Sequence, residues 1–219
     1  MVVTSLALLL IAQEPMILKF SPVGESIYRE QFSIVETPEG SPTINASGER
    51  RLRIKVREVS RGRARMELTV ADVEARGAEG LAAELRSWLD QPVREQFVND
   101  RGYVDRKEEP RGNRPFFGLV LPPPANSLPD RWNAKLLMPI GSERAVDFKY
   151  ELEQVEQRDE PVLGVKVQAS DKQGAQSTAL DGVVFVSRSG TVLNGEMISR
   201  LEDTDAKTKT TITYRFLKL

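Results

Sequence analysis

Apolar and polar residues alternate along most of this 219-residue chain. The clearest example is the stretch in which Leu52, Ile54 and Val56 alternate with basic residues. After a turn at residues 60–62 the alternation resumes over residues 63–70. Because successive side chains of a strand point to opposite faces, this pattern predicts a hairpin with one apolar face and one basic face.

One segment departs from this alternation. Residues 78–90 are rich in Ala, Leu, Glu and Arg, and Leu85, Trp88 and Leu89 recur at helical spacing. Pro92 follows, and proline ends a helix because it lacks a backbone donor and restricts the preceding residue. The sequence therefore predicts one short helix over residues 78–90.

A short phrase occurs twice, as FVNDRGYV at residues 97–104 and as FVSRSGTV at residues 185–192. Each copy joins two short strands through a polar tip with glycine at the same offset, which predicts a hairpin turn with a positive φ angle. A second short sequence similarity links residues 22–32 with residues 139–148. The repeats predict two related β units. The alternative is that the two hairpins are unrelated, because glycine-tipped hairpins are common in all-β proteins.

These patterns divide the chain into four segments. Residues 1–13 form an apolar leader, residues 14–109 a first β unit with the helix, residues 110–132 a proline-rich connector, and residues 133–219 a second β unit. Residues 116–121 of the connector are apolar, so we expect the connector to be held against the core. The predicted fold class is mainly β: a strongly curved antiparallel sheet of two similar halves, half-barrel-like, with one short helix.

Composition removes whole classes of function. The chain has 31 basic and 32 acidic residues, so no global field favours nucleic acid or an anionic membrane. Cysteine and histidine are both absent. Their absence excludes disulfides, thiolate chemistry, Cys/His zinc sites and Ser-His-Asp triads. Carboxylate, Lys, Tyr and Ser/Lys chemistry remains open, and the leading interpretation has no metal, no cofactor and no catalytic residue.

The N-terminal segment bears on the compartment. Residues 2–12 are uncharged and apolar, too few to span a bilayer but typical of the central region of a signal peptide. Signal peptides usually begin with a basic residue, and none precedes this segment. The alternative to a signal peptide is a buried first strand or helix. We expect an exported protein, periplasmic or extracellular, because the leader fits a signal peptide. The lipid anchor of exported bacterial proteins is attached to a cysteine, so we expect no lipid anchor. We also expect no integral membrane span in the mature chain.

The order of these features resembles a set of uncharacterised exported bacterial β-proteins that contain a domain of unknown function. The segment from Leu121 to Trp132 and the two glycine-tipped hairpins carry this likeness. The resemblance implies a strongly curved antiparallel sheet without an assigned activity. An open half-barrel of this kind is also the architecture of periplasmic lipoprotein carriers, which is an analogy of fold alone.

The basic face of the first hairpin is one candidate binding surface. Facing strands lie about 5 Å apart, so like charges crowd there and favour an anionic ligand such as a lipid headgroup, a glycan or a phosphate. The alternative is a solvated face whose charges pair with acids such as Glu58 and Glu67. No aromatic residue interleaves with these cations, so nucleic acid is not expected. The residues are Arg51, Arg53, Lys55, Arg57, Arg61, Arg63 and Arg65.

An apolar cavity beneath the helix is the second candidate. A curved sheet covered by one short helix leaves room for an apolar ligand on its inner side, although leucine and tryptophan at helical spacing also suit ordinary core packing. Phe116 and Phe117 are further wall candidates. The candidate ligand-binding residues are Leu85, Trp88, Leu89, Phe97, Phe148 and Phe185.

Three hypotheses for function follow. The leading one is a non-catalytic cell-envelope protein, expected to be a monomer, that binds a lipid, a glycan or an envelope protein through its sheet. The second is a structural or assembly module of the envelope. The third is a carboxylate-dependent hydrolase using an acid pair such as Glu108–Glu109 or Asp203 with Asp205, although acids at turns also serve as backbone caps.

Overall fold

The computed structural model describes residues 19–20, 24–90, 94–105, 114–123, 128–138, 145–157 and 161–219. The predicted leader, residues 1–13, and the acid pair Glu108–Glu109 lie outside the described residues.

The described residues form twelve strands and one helix. The first six strands are β1 (Glu25–Pro38), β2 (Ile44–Ser60), β3 (Arg63–Gly77), β4 (Arg94–Asn99), β5 (Tyr103–Asp105) and β6 (Arg114–Pro115). The helix α1 (Glu79–Leu89) lies between β3 and β4. The last six strands are β7 (Arg131–Leu137), β8 (Ala145–Gln157), β9 (Pro161–Gln173), β10 (Gln176–Ser187), β11 (Val192–Asp203) and β12 (Thr208–Lys218).

All twelve strands join one antiparallel sheet in the order β6-β5-β4-β3-β2-β1-β12-β11-β10-β9-β8-β7. One meander runs outward from β1 to β6, and a second returns inward from β7 to β12, where it pairs with β1. The sheet curves so far that Cα atoms of β6 and β7, at its two ends, approach within 8 Å. The predicted mainly β, strongly curved antiparallel sheet with one helix is confirmed; an origin by duplication stays a prediction.

The sheet has an inner, buried face and an outer, exposed face. Tyr28 and Phe32 of β1 lie on the inner face with Phe216 of β12, and all three are buried. The predicted hairpin of β2 and β3 follows the same rule. Ile54 and Met66 are buried on the inner face while the basic side chains between them point outward, so this prediction is confirmed.

Residues 116–121 of the connector fill the middle of the inner face. The ring of Phe117 lies 4.5 Å from the ring of Tyr28 and 4.7 Å from that of Phe216. The indole Nε1–H of Trp132 donates to the carbonyl of Val120 at 2.6 Å. The expectation that the connector is held against the core is confirmed, and its apolar residues supply much of that core.

The helix α1 covers another part of the inner face. The predicted helix is confirmed, and it is one residue shorter at each end than the predicted range of residues 78–90, because Ala78 and Asp90 are its caps. Leu85 and Leu89 pack against Phe32 and Ala46 in a second apolar cluster. Gly48 lies directly beneath them, where a Cβ would come within 2.6 Å of Leu89 Cδ1. Across the described ranges, no helix has the length and apolar character needed to cross a membrane.

Candidate functional site

The inner face holds a cavity of about 280 Å³. We call it the end cavity. Its floor is made of buried side chains, almost all of them apolar. Its rim is more exposed and more polar. The floor residues are Phe20, Tyr28, Ile54, Met66, Phe116 and Val192, and the rim residues are Gly24, Ser26, Val56, Ser189, Thr191 and Lys218.

Strand register brings these residues together. Residues directly opposite each other on neighbouring strands share a face. Ser26 of β1 lies opposite Ile54 of β2, and Val56 lies opposite Met66 of β3. On the other side of β1, Tyr28 pairs with Lys218 of β12. The cavity is therefore built around the junction between the first and the last strand.

Tyr28 fixes one wall of the end cavity. Its hydroxyl donates to the carbonyl of Val192 at 2.9 Å, which ties β1 to the start of β11. Burial raises the pKa of the Tyr28 phenol above its usual value of 10.0. The phenol therefore remains a neutral hydrogen-bond donor at physiological pH.

The two repeated hairpin tips have matching geometry. Gly102 has φ 86° and Gly190 has φ 79°, which confirms the predicted left-handed glycines. In the first tip, Asn99 Oδ1 accepts hydrogen bonds from the backbone N–H of Arg101 and of Tyr103. In the second, Ser187 Oγ accepts from the N–H of Thr191 at 3.1 Å.

Residues 19–20 run between these two tips and close the cavity wall. The N–H of Phe20 donates to the carbonyl of Asp100 at 2.7 Å. On the other side, a Cβ at Gly190 would overlap the carbonyl oxygen of Lys19, so this close approach requires glycine. The ring of Phe20 meets Phe116 edge-on, with centroids 5.0 Å apart.

The predicted apolar residues lie elsewhere on the inner face. Leu85 and Leu89 are buried beneath α1, while Trp88 is 41% exposed and meets Phe32 edge-on. Phe148 of β8 is completely buried in the main core. None of these four lines the described wall of the end cavity.

Phe97 and Phe185 are on the outer face. Phe97 lies opposite Arg65 of β3, and both are on the side away from the buried Val98. Phe185 lines a second, outer groove of about 380 Å³. In that groove Arg215 forms an ion pair with Glu196, so these two charges neutralise each other. Of the wall candidates raised from the sequence, Phe116 is the one that lines the end cavity.

The basic residues of the first hairpin are spread over the outer face, and carboxylates lie beside most of them. Lys55 is opposite Glu67 in the register, Arg61 has φ 51° in the turn, and Arg63 begins β3. Four arginines form exposed ion pairs, which are Arg51–Asp72 at 3.2 Å, Arg53–Glu25 at 2.7 Å, Arg57–Glu67, and Arg65–Glu95 at 2.6 Å.

Of the acids singled out from the sequence, Asp203 caps the backbone of its own turn. Asp203 Oδ1 accepts from the N–H of Ala206 at 2.8 Å and of Asp205 at 3.0 Å. The bond from Ala206, with one from Gln176, holds the pKa of Asp203 below its usual value. Within the described ranges, no group of three or more acidic side chains is placed to hold a metal ion.

Sequence reasoning missed most of the cavity lining. Ile54, Val56 and Met66 could have been found, since their alternation already placed them on one apolar face. Phe20 and Lys218 carried no such signal. They reach the cavity only through tertiary contacts with residues far away along the chain.

Comparison with solved structures finds distant likenesses. Lipovitellin, from a structure titled for its lipid–protein interactions, matches with a TM-score of 0.48 and 9% identity over 91% of this chain. This chain spans about a quarter, 25%, of that lipovitellin chain.

Two bacterial structures are also similar. A LolA superfamily protein from Nitrosomonas europaea has a TM-score of 0.17 and 10% identity, covering 89% of this chain and 86% of that one. A DUF1329 family protein from Desulfovibrio piger has a TM-score of 0.18 and 9% identity, covering 86% and 83%. No protein-family model matches the sequence, and a search of curated proteins found no match.

Proposed function

We propose that this chain is a non-catalytic binding protein that takes the apolar part of a lipid-like ligand into the end cavity. The supporting observation is the division of one cavity into a buried apolar floor and a polar rim. Removing an alkyl chain from water onto such a floor is favourable by about 25 cal/mol per Å² of apolar surface. A polar rim leaves the head of the same ligand in contact with water.

The size of the cavity favours a single alkyl chain. Small-molecule sites usually measure about 300–1,000 Å³, and the end cavity, at about 280 Å³, lies just below that range. Residues 116–121 and α1 pack against other parts of the inner face, away from the end cavity.

We also propose that the protein acts outside the cytoplasm, as an exported or cell-envelope protein. The apolar residues 2–12 support this part of the proposal. Sequencing the N-terminus of protein purified from its own host tests it. A mature chain that begins after residue 13 is expected, and a chain that retains Met1 would contradict export by this leader.

Binding of the neutral fluorophore N-phenyl-1-naphthylamine tests the proposed cavity. The variant Val56→Phe places a larger side chain at the rim, and we expect it to weaken binding of the fluorophore about tenfold, equivalent to about 1.4 kcal/mol. Val59→Phe is the matched control, because Val59 lies near the end of the same strand, is 64% exposed and does not line the cavity.

Fluorescence titration and thermal unfolding of both variants separate binding from folding. The proposal expects Val59→Phe to bind the fluorophore like the wild type, with unfolding midpoints close to one another. Equal loss of affinity in both variants, or no saturable binding by the wild type, would contradict it.

A further inference from the structure

The rim of the end cavity carries a cation, the ammonium group of Lys218. Lys218 is half-buried and lies beside Tyr28 on the inner face. The lining residues that the structure describes include no aspartate or glutamate. Among the described carboxylates none forms an ion pair with Lys218, whereas Lys207 and Lys209 of the same C-terminal hairpin pair with Glu39 and Glu202.

The acid nearest in sequence to the rim is directed to the opposite face. Glu25 stands between the rim residues Gly24 and Ser26, but it accepts two hydrogen bonds from Arg53, at 2.7 and 2.9 Å. These bonds hold the pKa of Glu25 below its usual value. Glu25 therefore stays charged and engaged on the outer face, and its charge is not directed at Lys218.

A chain of three hydroxyls on the second hairpin adds polar groups to the rim. Ser187 Oγ lies 2.7 Å from Ser189 Oγ, and Ser189 Oγ lies 3.2 Å from Thr191 Oγ1. Three hydroxyls carry three O–H donors, and the two bonds between them use two. When Ser187 donates to Ser189 and Ser189 donates to Thr191, the O–H of Thr191, which lines the rim, is left to donate to a ligand.

We propose that the ligand of the end cavity is a single-chain amphiphile with an anionic head, which lies against Lys218 and the hydroxyls of Ser189 and Thr191. This inference rests on the proposed function and adds the charge of the ligand. Hydrogen bonds from a charged donor to an anion are stronger than neutral ones. An ammonium group is a compact point charge with rotating donors, so Lys218 selects the sign of the head rather than its shape.

Three ten-carbon probes test the proposal: decanoate, decanol and decyltrimethylammonium. Their affinities are measured by displacement of N-phenyl-1-naphthylamine at fixed, low ionic strength. We expect decanoate to bind about tenfold more tightly than decanol, a difference of about 1.4 kcal/mol, and decyltrimethylammonium to bind most weakly.

The variant Lys218→Gln removes the charge and keeps a polar side chain. We expect it to bind decanoate about tenfold more weakly and decanol as the wild type does. Lys209→Gln is the matched control on the same strand, because its side chain is 73% exposed and paired with Glu202. That variant is expected to change neither affinity.

The outcomes distinguish failure of the inference from failure of the proposed function. Equal binding of decanoate and decanol by the wild type, or an unchanged preference in Lys218→Gln, overturns the anionic head and leaves the apolar cavity standing. Displacement by none of the three probes overturns the proposed function and the inference together. Equal losses in Lys218→Gln and Lys209→Gln would assign the effect to general charge and overturn the inference.

Discussion

Arg50 and Glu30 form an ion pair inside the curved sheet, with Arg50 Nε 2.6 Å from Glu30 Oε2. Glu30 is 3% exposed, and its other carboxylate oxygen accepts a hydrogen bond from the hydroxyl of Tyr214. Arg50 Nη1 also donates to the carbonyl of Leu89, the last residue of α1, at 2.9 Å. The pair therefore connects the helix to the strands that carry the end cavity.

Removing one member of this pair should be costly. We expect Arg50→Met to lower the free energy of unfolding by about 3–5 kcal/mol, because the carboxylate of Glu30 is left buried and uncompensated. The double variant Glu30→Leu with Arg50→Met should lose less, since no charge stays buried. Urea unfolding measures all three proteins. A single variant no less stable than the double one would contradict this account of the pair.

Gly118 tests the fit of the connector inside the sheet. It has φ 76°, and a Cβ there would overlap the Sδ of Met197. Gly40 has φ 73° but nothing within 4 Å of its Cβ position, so Gly40→Ala carries the backbone strain alone. We expect Gly118→Ala to lose about 1–3 kcal/mol more than Gly40→Ala, the usual cost of overpacking. Equal unfolding midpoints in urea would show that the connector can move aside.

Alkaline pH should destabilise the fold through its buried phenols. Burial raises the pKa values of Tyr28, Tyr150 and Tyr214 above 10.0, and Glu30 raises that of Tyr214 further. Below pH 10 these phenols are protonated in both states, so their contribution to stability is fully present. Above pH 10 the unfolded chain releases protons that the folded chain keeps, and stability falls by about 1.4 kcal/mol per pH unit per tyrosine.

An ultraviolet titration of tyrosine ionisation measures this effect. The native protein is expected to show delayed phenolate absorbance, and the protein in urea to show ionisation of all four tyrosines near pH 10. Coincident titration curves for the two states would contradict the burial of these phenols.

The outer basic residues should not take part in binding of the anionic head. Arg51, Arg57 and Arg65 each have a carboxylate partner on the outer face. We expect the triple variant Arg51→Gln, Arg57→Gln and Arg65→Gln to bind decanoate within about twofold of the wild type, a difference below 0.5 kcal/mol. A loss as large as that of Lys218→Gln would move the anion site to the outer face.

Local patterns were enough to predict several elements of this fold. The alternation of Leu52, Ile54 and Val56 determines which face of β2 is buried, and it holds in the structure. The helix could be predicted because Leu85 and Leu89 are four residues apart, the spacing of one helical face. The hairpin tips were readable because a positive φ angle favours glycine.

The face of the sheet on which Phe97 and Phe185 lie could not be predicted from alternation. Phe185 stands in the continuous apolar run from Val183 to Val186, where both faces of the strand look alike. Only the strand register shows that Val184 points inward and Phe185 outward. Phe97 beside the buried Val98 presents the same ambiguity.

The end cavity depends on a long-range pairing. Tyr28 and Lys218 are neighbours only because β1 pairs with β12, and neither strand carries a local signal for the other. Phe20 joins them through hairpin tips that come from both halves of the chain. A site assembled in this way is defined by topology, which alternation along one strand does not encode.

Isotope-filtered nuclear Overhauser spectroscopy of the protein with bound decanoate tests the central claim most directly. The account predicts contacts between the alkyl protons of decanoate and the methyl groups of Ile54, Met66 and Val192, which line the end cavity. Contacts instead to the methyl groups of Leu85 beneath α1, or of Leu217 on the outer face, would contradict it.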